Sequence, residues 1–261
     1  MFIIKPNLPE RKIRHLFCSC DIDREIEENL ERLDILPVKL RGLDIFATPV
    51  RNHPDMLCHH VGGSSWIFYK SVYENNKRAI DELSLEIILA DDPQSGKYPA
   101  NIALNAACIG RYIICTEKYT ESLIAANSQC KHKILNVKQG YAKCSVCIVD
   151  ENSIITSDVS IYNICVKNAI DVLLIRPGYI NLQGYDYGFI GGCAGLIDVK
   201  SLAFTGDIKQ HPDYENIKNF CDDRAVEIIS LSQKKLYDYG SLLPVDYNNI
   251  KKTKDKLILC I

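Results

Sequence analysis

The stretch HPDMLCHHVGG, from His53 to Gly63, holds one carboxylate, one thiol and three imidazoles within eleven residues. Imidazole titrates near neutral pH and serves as acid or base. A thiol within its reach is a nucleophile once the proton leaves. A second chemistry-bearing stretch is YAKCSVC, where Lys143 precedes Cys144 in an otherwise apolar run. Burying a lysine alone is costly, so Lys143 must reach water or a partner. Turned inward, it offers an anion site, for instance for a substrate carboxylate, and it lowers the pKa of a nearby thiol. The other reactive or polar side chains in comparable stretches are Asn105, Cys193, Asp238 and Ser241.

Read as strands, these stretches point alternate residues to opposite sides. Met56, Cys58 and His60 then share one face, and Leu57, His59 and Val61 share the other. At most one of His59 and His60 enters a common cavity. His53 precedes Pro54 and belongs to a loop, which Asp55 caps unless it accepts a hydrogen bond from a histidine. No metal site is expected. The CxxC of Cys144 and Cys147 lies in an expected strand, where residues three apart diverge, whereas zinc draws paired ligands from a turn. Cys18 and Cys20 share a face but have no second pair. No cofactor is expected either, because Gly62–Gly63 and Gly191–Gly192 lack the spacing of a nucleotide loop.

The elements that must position these residues recur. Between Pro54 and Leu231 the order strand, strand, helix, apolar strand repeats four times, as MLCHHVGG, SWIFYKSV, NNKRAIDEL and LEIILAD show for the first unit. The units span about 54–91, 98–139, 140–178 and 185–232. Polar ends such as TSD and TGD suit the exit from a second strand. Third strands are apolar almost throughout, as when both faces are covered. A fifth unit is split between the termini, about 236–261 plus 1–45. YGSLLPVDY and KLILCI supply its first two strands, and DREIEENLERL and DILPVKL its helix and third strand. Pairing of the termini closes the ring and removes sheet edges. The result is one α/β domain over 1–261.

Composition fits a soluble globular chain, with 47% hydrophobic and 25% charged residues and a net charge of −2. Such a charge steers the molecule toward neither nucleic acid nor an anionic membrane. The twelve cysteines, without a signal segment, read as free thiols of a cytoplasmic protein.

Five such units in a ring, with the wording HPDM...GG, YAKCSVCIV, ITSD, GFIGG, TGDI..HPDY and GSLLPV, resemble the pentein or guanidine-modifying-enzyme fold, an α/β propeller of five ββαβ units. The wording is most similar to an uncharacterised bacterial family of that fold, and more distantly to arginine deiminase and dimethylarginine dimethylaminohydrolase. The resemblance implies a central site where the first strands converge, around Cys58, Asn105, Cys144, Cys193 and Ser241. It also implies a cysteine nucleophile from the last first strand, yet DYGSLLPV carries Asp238 and Ser241 and no cysteine. The region of the usual catalytic histidine, GFIGGCAG, carries Cys193 instead. Two functions follow. One is an atypical cysteine-dependent hydrolase or amidinotransferase-like enzyme for a guanidino or amino-acid-like compound. Its nucleophile is Cys144, Cys193 or Cys58, with His59 or His60 as base and Asp55, Lys143, Asn105, Asp238 and Ser241 in support. The other is a non-catalytic protein that binds a small ligand or a macromolecule.

Overall fold

In the computed structural model, which describes residues 2–117, 123 and 132–246, fifteen strands form five three-stranded sheets. Each is mixed. The middle strand pairs antiparallel with the strand before it and parallel with the strand after the connecting segment. β3 (Cys58–Gly62), β4 (Ser65–Tyr69) and β5 (Glu86–Ala90) make the first such sheet. β6 (Ala107–Ile109), β7 (Tyr112–Cys115) and β8 (Lys133–Asn136) make the second. β9 (Cys147–Asp150), β10 (Ser153–Thr156) and β11 (Asp171–Leu174) follow, then β12 (Ala194–Asp198), β13 (Ser201–Phe204) and β14 (Glu227–Ser230).

The fifth sheet joins the two ends of the chain. β15 (Leu243–Val245) pairs antiparallel with β1 (His15–Ser19), which pairs parallel with β2 (Leu36–Leu40). Its middle strand is thus HLFCS near the N-terminus, in the place expected for KLILCI, and KLILCI itself lies outside the described residues. The helix expected over YTESLIAANSQC falls almost wholly outside them too.

The helices obey local chemistry. α1 (Arg24–Arg32) buries Ile26 and Leu30 four residues apart. α3 (Lys70–Asp81) buries Val72, Asn76 and Ile80 on one stripe. α5 (Val159–Lys167) starts where the TSD motif ends, because the Asp158 side chain accepts a hydrogen bond from the Ile161 N–H at 2.9 Å. α6 (Tyr214–Asp222) buries Ile217 and Cys221. Its Asp213 leaves the cap open and grips Arg176, with a 2.7 Å bond from the Arg176 backbone N–H.

Two expectations are corrected. The third strands are not covered on both faces: Leu36, Ile88, Leu89 and Leu174 are exposed, and each third strand is the outer edge of its sheet. And the segments read as long first strands are strands only in their second halves. Pro54–Leu57 and Ala142–Ser145 are single α-helical turns, α2 and α4, and Gly191–Cys193 is a 3-10 turn. A 3-10 turn over Ala100–Ile102 precedes β6 in the same way. Before β15, Gly240 and Ser241 turn the chain with φ of 77° and 76°. Every sheet therefore begins with a turn that delivers side chains to the end of its first strand.

Candidate functional site

The five turns are hydrogen-bonded to one another, and their side chains form one buried polar cluster. Asn105 ties three of them. Its Nδ2 donates to the Asp55 carbonyl at 2.9 Å and to Cys144 Sγ at 3.1 Å, and its Oδ1 accepts from the Lys143 N–H at 2.8 Å. Lys143 Nζ donates to Ser241 Oγ at 2.9 Å. The Ser241 hydroxyl lies 2.7 Å from Asp55 Oδ2 and 2.8 Å from the Gly191 carbonyl, so it passes its own proton to one of these acceptors. Asp238 accepts from the Phe189 and Gly240 N–H groups, each at 2.9 Å, and its Oδ1 lies 3.6 Å from His53 Nδ1. All of these side chains are buried.

The close approach depends on glycine. A Cβ on Gly192 would overlap the Asp238 carboxylate, and one on Gly191 would strike the Val146 and Lys143 carbonyls. Gly192→Ala is therefore expected to displace Asp238 and to cost about 1–3 kcal/mol, the usual penalty of overpacking, read by urea unfolding. Ser241 holds a left-handed φ without being glycine, a conformation that persists only where its surroundings impose it. Its three polar partners do so.

The thiols divide by the direction of their bonds. Cys58 donates its S–H to the Pro54 carbonyl at 3.3 Å, and Cys193 to the Ile190 carbonyl at 3.3 Å. Both are spent on their own turns. Cys144 is the exception, because its sulfur receives an N–H from Asn105. Burial pushes all three thiols well above the ordinary range, with the Asp55 carboxylate adding to the effect on Cys58 and Cys144 and Asp238 adding to it on Cys193. All three rest as neutral S–H.

The expected histidines lie apart from this thiol. His59 Nε2 is 3.5 Å from Cys108 Sγ, in the neighbouring sheet. His60 stacks on its cross-strand partner Trp66 at 4.5 Å, and its Nε2 meets the Gly63 carbonyl at 3.1 Å. Both are buried, and with Asn7, Asp55, Trp66 and Lys143 they line a cavity of about 10 Å³, room for roughly one water. The imidazole beside Cys144 is His53. Nitrogen of His53, carboxylate oxygen of Asp55 and sulfur of Cys144 all lie within 4.8 Å of one another. His53 is the residue that precedes the Pro54 helical turn, so the sequence held its position but not its direction.

Burial depresses the imidazoles, to about 3 for His59 and about 4 for His60. It raises Asp55, and it raises Asp238 to about 6 against the pull of its two N–H donors. The two effects oppose each other on acidification. The histidines contribute stability that is present above their unfolded value of 6.5 and is lost as the pH falls toward 4 and 3. Asp238 contributes stability that is present below 3.8 and is lost as the pH rises through 6. Shifts of this size are worth on the order of 3–5 kcal/mol per histidine and about 3 kcal/mol for Asp238, so the histidines prevail. Unfolding free energy is expected to fall from pH 7 to pH 4. His60→Phe should flatten that fall and Asp238→Asn should steepen it.

With the geometry in place, the similarities to known proteins can be stated. An amidinotransferase of the saxitoxin biosynthetic pathway from Microseira wollei superposes with a TM-score of 0.58 over 95% of this chain and 98% of its own, at 12% identity. The inosamine-phosphate amidinotransferase of Streptomyces griseus superposes with a TM-score of 0.59, 97% and 99% coverage and 10% identity. The agmatine deiminase of C. jejuni gives 0.55, 94% and 97% coverage and 11% identity. At such identities the likeness concerns the fold alone, the pentein fold: five mixed sheets with a buried cluster where their first strands begin. Residues 17–243 match the family of unknown function DUF6873, and the chain belongs to that family. No curated protein matches it in sequence. Among the described residues, no helix is long and apolar enough to cross a membrane.

Proposed function

We propose that the protein is an atypical thiol-dependent enzyme that attacks the central carbon of a guanidino or amidino group, with Cys144 as nucleophile and His53 as proton carrier. The observation that carries this reading is the convergence of the Cys144 thiol, the His53 imidazole and the Asp55 carboxylate within 4.8 Å in one buried cluster. An adjacent base is what activates a nucleophile of this kind. The Asn105 N–H aimed at the sulfur favours the thiolate over the thiol.

The site suits a cation. Asp55 and Asp238 are buried acceptors for the N–H groups of a planar substrate. Tyr141, next to α4, packs on Phe189 with 6.4 Å between ring centroids, and the exposed Tyr98 and Tyr187 pack on Tyr141 and Phe189, an aromatic surface that favours positive charge. A cation arriving beside Asp55 also offsets the share of the Cys144 shift that the carboxylate adds to that of burial. His53 then takes the thiol proton, and an S–C bond forms as the C=N pair moves onto nitrogen. His53 returns the proton to the leaving nitrogen, the C–N bond breaks, and ammonia or an amine departs. Water or an acceptor amine next attacks the same carbon and releases the thiol. Solved structures of the same fold include two amidinotransferases and an agmatine deiminase, which supports C–N chemistry over other thiol reactions. No disulfide joins the described cysteines, which suits a reducing compartment such as the cytoplasm.

Incubation with arginine, agmatine and simple amidines, with and without an acceptor amine, tests the reading through release of ammonia or transfer of the amidino group. Turnover of at least one compound is expected. A second reading, a ligand-binding protein without turnover, draws on Lys143, whose ammonium already supplies an internal partner to the cluster. Thermal stabilisation by such compounds without any product would favour it.

A further inference from the structure

We infer that the same turn cluster is a binding site for a soft or borderline divalent cation such as zinc, held by His53 nitrogen, Asp55 Oδ1 and Cys144 Sγ. One carboxylate oxygen points to it first. Asp55 Oδ2 is bonded to Ser241, whereas Asp55 Oδ1 is fully buried and accepts no N–H or O–H among the described residues, the carboxyl being met otherwise only by the Cys144 thiol. A buried carboxylate oxygen left in this state costs free energy that a cation would recover. The ligand set fits the metal: one sulfur, one imidazole nitrogen and one carboxylate oxygen is the mixed donor set that zinc accepts, with a fourth position left for water. Tetrahedral zinc needs ligand atoms roughly 3.5 Å apart, and a His53 nitrogen, one Asp55 carboxylate oxygen and Cys144 Sγ already lie within 4.8 Å of one another, so modest side-chain rotations close the site.

The surrounding groups are those a metal site needs. Each ligand has a support: the Asn105 N–H on the sulfur, the Ser241 hydroxyl on Asp55, and a backbone carbonyl, of Pro49 or Asp238, for the one N–H that a ligating His53 ring keeps. This site shares residues with the proposed thiol chemistry but does not require turnover. A bound ion would occupy the sulfur and hold the enzyme inactive, which makes the site a point of control.

Cobalt(II) is the probe, because thiolate coordination gives it a charge-transfer absorption that zinc lacks. The full chain, stripped by a chelator, is expected to bind one equivalent of cobalt with that absorption, and zinc should displace it. Cys144→Ser should abolish the band and weaken binding at least tenfold, while serine in place of the partly exposed Cys20 leaves both intact. Should Cys144→Ser fail to fold, as judged by circular dichroism, His53→Gln is expected to weaken cobalt binding at least tenfold. Absence of the band, a band that survives Cys144→Ser, or a cobalt affinity unchanged in folded His53→Gln overturns the inference. Metal binding and turnover are read separately. Cobalt bound at Cys144 without turnover of any guanidino compound upholds the site and sinks the enzymatic reading, and turnover without the band does the reverse.

Discussion

Cys144→Ser is expected to lower turnover of a guanidino or amidino substrate by roughly 10³-fold or more, with the fold unchanged, since loss of a nucleophile costs at least this much in comparable enzymes. Serine keeps the size of the side chain and can still accept the Asn105 N–H, so packing is preserved. What it loses is a group acidic enough to surrender its proton to His53. Cys58→Ser and Cys193→Ser should stay within a few-fold of the parent, because those thiols donate to the carbonyls of their own turns and a hydroxyl does the same. Rates measured for the three variants side by side thus separate one reactive sulfur from two structural ones. Equal losses in all three would instead point to a general packing effect.

Lys143→Met is expected to be the most destabilising single substitution at the site, by about 3–5 kcal/mol, because removing one member of a buried charged cluster leaves the others uncompensated. The lysine is 6% exposed, and its ammonium is the cation closest to Ser241 and, through Ser241, to Asp55. Its charge also restrains the rise of both the Asp55 and Asp238 pKa values. The loss should therefore be smaller at pH 5 than at pH 7, because Asp238, at about 6 with the lysine and higher without it, is protonated at the lower pH and needs no counter-charge. Adding Asp55→Asn to Lys143→Met should recover part of the stability, because contacting residues of one network are not additive. Urea unfolding of the two single variants and the double variant at pH 5 and pH 7 reads both effects. A full additive loss would mean that the charges are solvated separately.

The five-fold repeat was legible in the sequence because each unit carries its own strand, turn and helix signals, and the units agree in order. The polar exits of the second strands were legible for the same reason, and Asp158 caps its helix accordingly. The turns that build the site were not. A helical turn of four residues such as Pro54–Leu57 or Ala142–Ser145 is too short to show a 3.6-residue period, and its apolar residues read as the start of the following strand. That error hid His53, because it removed the turn that swings the histidine toward Cys144, and it placed Lys143 and Cys144 on opposite faces of a strand that is not there. Exposure of Leu36, Ile88, Leu89 and Leu174 was hidden for another reason: apolar composition does not say which side of a sheet is its edge. Asn105, Asp238 and Ser241 could be named from their stretches. The hydrogen-bond directions that single out Cys144 from Cys58 and Cys193 exist only in three dimensions.

The proposed chemistry requires a covalent bond between Cys144 and substrate carbon, which acid quenching during turnover, followed by intact-mass measurement and peptide mapping, would capture. An added mass equal to the amidino-derived fragment is expected, confined to the peptide that carries Cys144 and absent from Cys144→Ser. Turnover that proceeds with no adduct on that peptide, or with the adduct on Cys58 or Cys193, would contradict it.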